Sequence, residues 1–188
     1  LIIDFGKEMH GGIRIITGSC SDTVEFRIRF GESLTETCVS VGDKGATNDH
    51  SPRDFTAIAS QFSDLNFGQT GFRFVRIDLI KGSEWNIQNI FCENQMLSLR
   101  SIYRYDGNDK LVKKIFSTAK RTVDLCSSGE YVWDGIKRDR LVWIGDMHPE
   151  MLSLTTLYGR VDVLERSMEF VKQTTPFTLW INGIASYS

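Results

Sequence analysis

From residue 1 to about residue 97 apolar positions alternate with polar ones, and after about Leu99 they recur at every third or fourth position. A period of two marks a strand with one buried face, and a period near 3.6 marks an amphipathic helix. The β-like runs are IRIIT (13–17), TVEFRIRF (23–30), FRFVRIDLI (72–80) and WNIQNIFC (85–92), all rich in β-branched and aromatic residues. In TVEFRIRF, Val24, Phe26, Ile28 and Phe30 share one face, while Glu25, Arg27 and Arg29 share the other, which is expected to be wet. Glycines at 6, 11, 12, 18, 31, 68, 71 and 82 separate the runs, where turns or bulges need them. Short antiparallel strands so spaced predict a β-sandwich of jelly-roll type. Residues 42–60 are polar and aperiodic and predict a long loop, whose tail DFTAIASQF (54–62) could form a further strand.

In the second half, Asn108 or Asp109 is placed to cap a helix. Its apolar positions are Leu111, Ile115, Ala119 and Val123, and it ends at Ser127-Ser128-Gly129. A second helix is expected to start near Pro149, a residue tolerated in a first turn, with Met151, Leu154 and Tyr158 inward. A third is expected from Asp162 to Thr174, with Val163, Ser167, Met168 and Val171 on one stripe before Pro176. The chain therefore reads as multidomain, a β domain over 1–97 and a helical domain over 98–188, packed together without a flexible linker.

Composition narrows the function classes. The 188 residues can bury a proper core. A net charge of −2 provides no broad field for nucleic acid. No apolar run approaches the roughly 18–20 residues of a membrane span, so no membrane partner is expected. The chain begins at Leu1 without an initiator Met and stops at INGIASYS without a helix stop, and it reads as a piece of a longer protein. Cysteines 20, 38, 92 and 126 form neither a CxxC pair nor a cluster with histidine, so no zinc site follows. Each is expected to be a buried free thiol, with a bridge between two of them left open. Asp106-Gly107-Asn108-Asp109 hints at a calcium loop, but Ser117 stands where the bidentate acid belongs, and a helix cap is the expected reading. His10, His50 and His148 fall in separate elements and are expected to be structural or solvated. No metal and no cofactor is expected.

The stretch WDGIKRDRLVWIGDMHPE (133–150) combines three aspartates, a glutamate, basic residues and two tryptophans. Neighbouring cations hold some carboxylates ionised, and indole walls can raise the pKa of another by desolvation. Carboxylates in split environments suit glycoside hydrolysis, where one donates a proton while others stay ionised. Aromatic faces also suit the C–H side of a sugar ring. The alternative is a helix start with Asp caps, ion pairs at its rim and two tryptophans in the core, and on the residues alone that alternative prevails.

WDGIKRDRLVWIGD resembles the D-x-P-x-R-D-E-R-x-G-W-x-G-D signature of the bacterial α-L-rhamnosidases, glycoside hydrolase family 78. LIIDFGKEMHGGIRI, RFGESL and FGQTGFRFVRIDLI resemble the jelly-roll domain that precedes the catalytic (α/α)6 barrel in that family, so the resemblance covers almost the whole chain. It implies a β-sandwich followed by the opening helices of an (α/α)6 barrel. The family's general acid is a glutamate four residues before the signature Trp and seven before the last Asp. Counting back from Trp143 and from Asp146 both lead to Asp139, one methylene shorter; counting forward from Asp134 leads to Arg140, because the stretch is one residue shorter here. The resemblance thus implies Asp139 as acid, and Asp134 and Asp146 as hydrogen-bond partners of sugar hydroxyls. It implies Trp143 as an apolar wall and Arg138 as a group orienting Asp134 or Asp139. Ile136 replaces the usual proline, and Trp133, His148 and Glu150 are expected to serve packing or the helix start.

Family members invert the anomeric centre, which needs a second carboxylate as base. The family's base lies later in the barrel, and no residue after Asp146 is assigned to it. The expectation is an inverting rhamnosidase-like fragment, inactive alone, whose exposed apolar helix faces favour association. Its partner is a rhamnose-containing glycoside or polysaccharide, in the periplasm, outside the cell or in the cytoplasm of a bacterium. A carbohydrate-binding module, or a related hydrolase acting on another sugar, are the alternatives.

Overall fold

The computed structural model describes residues 1–20, 22–44 and 53–175. His50, Pro176, the C-terminal residues and part of the expected 42–60 loop lie outside the described residues. Strands β1 (Ile2–Cys20) and β2 (Val24–Gly31) are followed by a short helix α1 (Leu34–Cys38). Strands β3 (Asp54–Ala59), β4 (Asp64–Lys81) and β5 (Trp85–Asn94) come next, and then helices α2 (Lys110–Cys126), α3 (Met147–Tyr158) and α4 (Asp162–Thr174). The chain divides into two compact units, one ending at Asn94 and one beginning at Gln95. No helix among the described residues is long and apolar enough to cross a membrane.

In the first unit the strands form one antiparallel sheet in the order β3-β2-β4-β1-β5. Laid flat, β2 and β5 would sit three strand spacings apart, about 14 Å. Phe26 of β2 nevertheless meets Trp85 of β5 with ring centroids 4.4 Å apart. The sheet is therefore folded over on itself into two layers. The same is true along β4. Phe26 pairs with Leu79, twelve residues on from Phe67, a separation of about 40 Å in a straight strand, yet the Phe26 and Phe67 rings are 5.5 Å apart.

The bend falls where glycine permits it. Gly68 has φ +80°, and a Cβ there would lie 2.6 Å from the Phe30 ring. A Cβ on Gly12 would run into the carbonyl oxygens of Phe67 and Gly68, so the two long strands cross in contact at that point. This corrects the reading of these glycines as breaks between short runs: β1 and β4 are continuous and shared by both layers, so each is far longer than the expected 13–17 and 72–80. The expected strand in DFTAIASQF is β3. Between the layers, Phe26, Phe30, Phe72, Ile13, Ile15 and Ile28 are fully buried. Each contributes about 2–3 kcal/mol by leaving water, and Phe72 meets both Phe5 and Phe30 edge-on at 5.5 and 5.0 Å.

The outer face of β2 is less wet than its alternation predicts. Arg29 is 5% exposed and is tied to Asp78 at 2.6 Å and to the carbonyl of Cys38 at 3.2 Å. Arg27 pairs with Asp54 at 2.5 Å. The covering element is α1, whose Ser33 Oγ accepts from the Glu36 N–H at 3.2 Å while the Glu36 carboxylate accepts from the Glu32 N–H at 2.8 Å. Ser33-x-x-Glu36 is a capping-box pattern, and that was the readable signal for a helix the apolar periodicity did not predict.

In the second unit Asp109 caps α2, its carboxylate accepting from the N–H groups of Leu111 and Val112. The core gathers Leu154, Leu157 and Tyr158 of α3 with Val163, Leu164 and Val171 of α4 and with Val132 and Val142 of the segment between α2 and α3. On α4 the inward stripe is Val163, Leu164, Ser167 and Val171, while Met168, expected inward, is exposed. Leu111 and Ile115 of α2 are 65% and 58% exposed, an outward apolar face. The four cysteines are free, as expected, but not buried: Cys38 is exposed and the other three are partly buried.

Candidate active site

The segment from Tyr131 to Asp146 alternates because its apolar members pin it to the helical core. Val132, Ile136 and Val142 are buried. The Val132 N–H donates to Ser167 Oγ on α4 at 2.8 Å, and the Trp133 N–H donates to the Cys126 carbonyl at the end of α2, also at 2.8 Å. Trp133 packs against the helical core, and its indole N–H donates to the Ser128 carbonyl. The polar residues between these anchors are thereby held at fixed places.

Asp134 closes the loop. Its backbone N–H donates to the Leu141 carbonyl, and its carboxylate accepts from the Leu141 N–H. The indole N–H of half-buried Trp143 also donates to that carboxylate. Burial raises the Asp134 pKa despite the Leu141 hydrogen bond, and the nearby charge of Asp139 raises it further. At the tip of the loop Arg138 Nε stands 3.7 Å from the Asp139 carboxylate. Asp139 and Arg140 have φ of +56° and +53°. Two successive left-handed residues with side chains are the mark of a tight tip, costing roughly 1–2 kcal/mol each.

Asp146 begins α3, and its side chain makes no capping hydrogen bond. The reading of the stretch as a helix start with Asp caps is not what Asp146 does. One turn on, Glu150 is half-buried and its pKa is pushed up to about 7, first by burial and then by the charges of Asp146 and Asp134. Asp134 and Glu150 line one cavity of about 160 Å³, together with Cys126, Ser127 and the apolar side chains of Val123 and Val132. Burial, with Glu150 and Asp134 beside it, pushes the Cys126 thiol up to about 11. His148 is exposed.

Among solved structures, the chain resembles a rhamnosidase from Klebsiella oxytoca with rhamnose bound, with a TM-score of 0.73 and 21% identity over 90% of this chain and 35% of that one. It also resembles a glycoside hydrolase family 78 rhamnosidase of Bacillus sp. GL1, with a TM-score of 0.72 and 18% identity over 93% of this chain and 18% of that one. The fold is rhamnosidase-like. The chain spans about a third of the length of the first enzyme and less than a fifth of the second. No family model and no curated protein matches it.

Within this rhamnosidase-like fold, the five residues singled out from the sequence fall on one loop and the start of one helix. Trp143 touches Asp134, Asp139 acts on Asp134 through its charge, and Arg138 adjoins Asp139. Asp146 joins the group through Glu150. Sequence reasoning missed Glu150, Ser127 and Cys126 as cavity residues. A glutamate in a first helical turn reads as a partner of the helix dipole, and only the packing of α2 beside α3 half-buries it.

Proposed function

We propose that this chain carries the acid-bearing part of a rhamnosidase-like glycoside hydrolase, and that the Trp133–Glu150 stretch receives the terminal sugar. The observation that carries this reading is the joining of Asp134, Asp139, Asp146 and Glu150 into one electrostatically linked group, beside an indole and a cavity, in a fold shared with two rhamnosidases. Asp139 serves as general acid, handing its proton to the leaving oxygen. Arg138 orients it. Asp134 and Asp146 accept hydrogen bonds from sugar hydroxyls, and Trp143 packs its ring face on the sugar while its N–H holds Asp134.

The jelly-roll topology of the first unit and an (α/α)6 barrel around the helices belong to the same reading. So does inversion by a base carboxylate that is not assigned to any residue here. In the enzyme that carries this chain, Asp139→Asn should cost most activity on glycosides with poor leaving groups and far less on activated aryl glycosides, because only the former depend heavily on proton donation. Equal residual activity on both would remove Asp139 from the acid role. Titration of the chain with L-rhamnose tests the pocket itself: Trp143→Ala and Asp134→Ala should each abolish binding. Unchanged binding in both variants would move the sugar site to the β-sandwich and make this a binding module.

A further inference from the structure

The cavity beside Asp134 and Glu150 holds more than the loop chemistry uses. Ser127 lines it, is 1% exposed, and among the described residues its Oγ has no hydrogen-bond partner. Buried hydroxyls in native proteins almost always have a partner, so an unsatisfied one at a cavity points to a ligand group. About 160 Å³ is the room of roughly five waters. Among the described residues, the titratable groups that face Glu150 are Asp134 from the loop, Asp146 from the residue before α3, and the Cys126 thiol from α2. None of them is a cation.

We infer that this cavity is a hydroxyl-binding subsite for a neutral sugar, in which Glu150 and Ser127 Oγ each make a hydrogen bond to the sugar. The inference rests on the sugar-binding reading above and adds Glu150 and Ser127 to it as binding residues. A sugar hydroxyl has one proton to give and lone pairs to receive. It donates to the Asp134 carboxylate and accepts from Glu150, a match that two ionised carboxylates could not make. A sugar bearing its own carboxylate meets Asp134 and Asp146 as like charges, so the subsite selects against uronic acids.

The test is calorimetric titration of the chain with L-rhamnose, and with D-galacturonate as the anionic probe, at about pH 6 and about pH 8. Wild-type affinity for L-rhamnose should fall about tenfold across that interval, as the acid form of Glu150 becomes the minor species. Glu150→Gln, uncharged at every pH and able to donate, should hold the acid-side affinity at both. Glu150→Ala should bind weakly at both, and Ser127→Ala should lose a few-fold at both. D-galacturonate should bind at least tenfold more weakly than L-rhamnose. A wild-type pH profile retained in Glu150→Gln, wild-type affinity in Glu150→Ala, or D-galacturonate bound as well as L-rhamnose would each overturn the inference. Loss of L-rhamnose binding in Trp143→Ala, with the Glu150 variants unaffected, would overturn it alone and leave the parent reading standing. No L-rhamnose binding by the wild-type chain would overturn both.

Discussion

Asp134 and Leu141 hold each other twice: the Leu141 N–H donates to the Asp134 carboxylate at 2.8 Å, and the Asp134 N–H donates to the Leu141 carbonyl at 3.0 Å. Asp134 is thus a structural clasp as well as a candidate sugar ligand, and the two roles separate by substitution. Asp134→Ala strands the Leu141 N–H and should cost about 1–3 kcal/mol, whereas Asp134→Asn keeps an acceptor and should cost about 1 kcal/mol or less. Urea midpoints of the two variants check this; equal losses would mean that the clasp contributes little.

The raised pKa of Glu150 makes stability depend on pH. Its folded value of about 7 lies above its ordinary 4.5. Its share of stability is therefore complete below pH 4.5 and is lost as pH rises through 7. After allowance for the water that still reaches this half-buried group, the loss is on the order of 2 kcal/mol. Glu150→Gln should flatten that part of the profile, measured by thermal melts from about pH 4 to about pH 8.

Asp124, 6% exposed, is a buried carboxylate of the helical unit. Tyr158 donates its hydroxyl to it, and Lys120 Nζ reaches its carboxylate at 2.7 Å and the Tyr158 oxygen at 2.6 Å. Tyr158→Phe keeps the packing of the ring and removes a donor to a buried charge, so it should cost about 1.5–3 kcal/mol. Chemical denaturation reads the loss directly.

At Gly68 the left-handed backbone and the Phe30 ring exclude a side chain together. Gly68→Ala should destabilise the β unit by on the order of 3 kcal/mol, the sum of a backbone and an overpacking cost. A variant as stable as the wild type would mean that the strand crossing is looser than its contacts imply.

The exposed Leu111 and Ile115 of α2 make the expected association testable. Replacing both with glutamate should shift sedimentation of a self-associating chain toward monomer while leaving the helical circular dichroism unchanged, because neither side chain contributes to the core.

What could be read from the sequence follows from how local each cause is. Strands β2 and β5 and helices α2, α3 and α4 were legible because their periods come from the face each residue buries. The true lengths of β1 and β4 were not, because a glycine that bends a strand and a glycine that ends one are the same letter. Arg29 read as a wet residue since nothing in TVEFRIRF says that α1 will cover it. Asp134, Asp139, Trp143 and Asp146 stood out because charge among indoles is conspicuous. Glu150 and Ser127 did not, because their environment is made by α2 lying beside α3 and has no trace in neighbouring letters.

Because β1 and β4 run through both layers, the sandwich has no seam along which it could be peeled. Pulling either layer away means tearing the same two strands, so the amides at Ile13–Ile16 and at Phe72–Arg76 should exchange with deuterium together, at one rate set by opening of the whole unit.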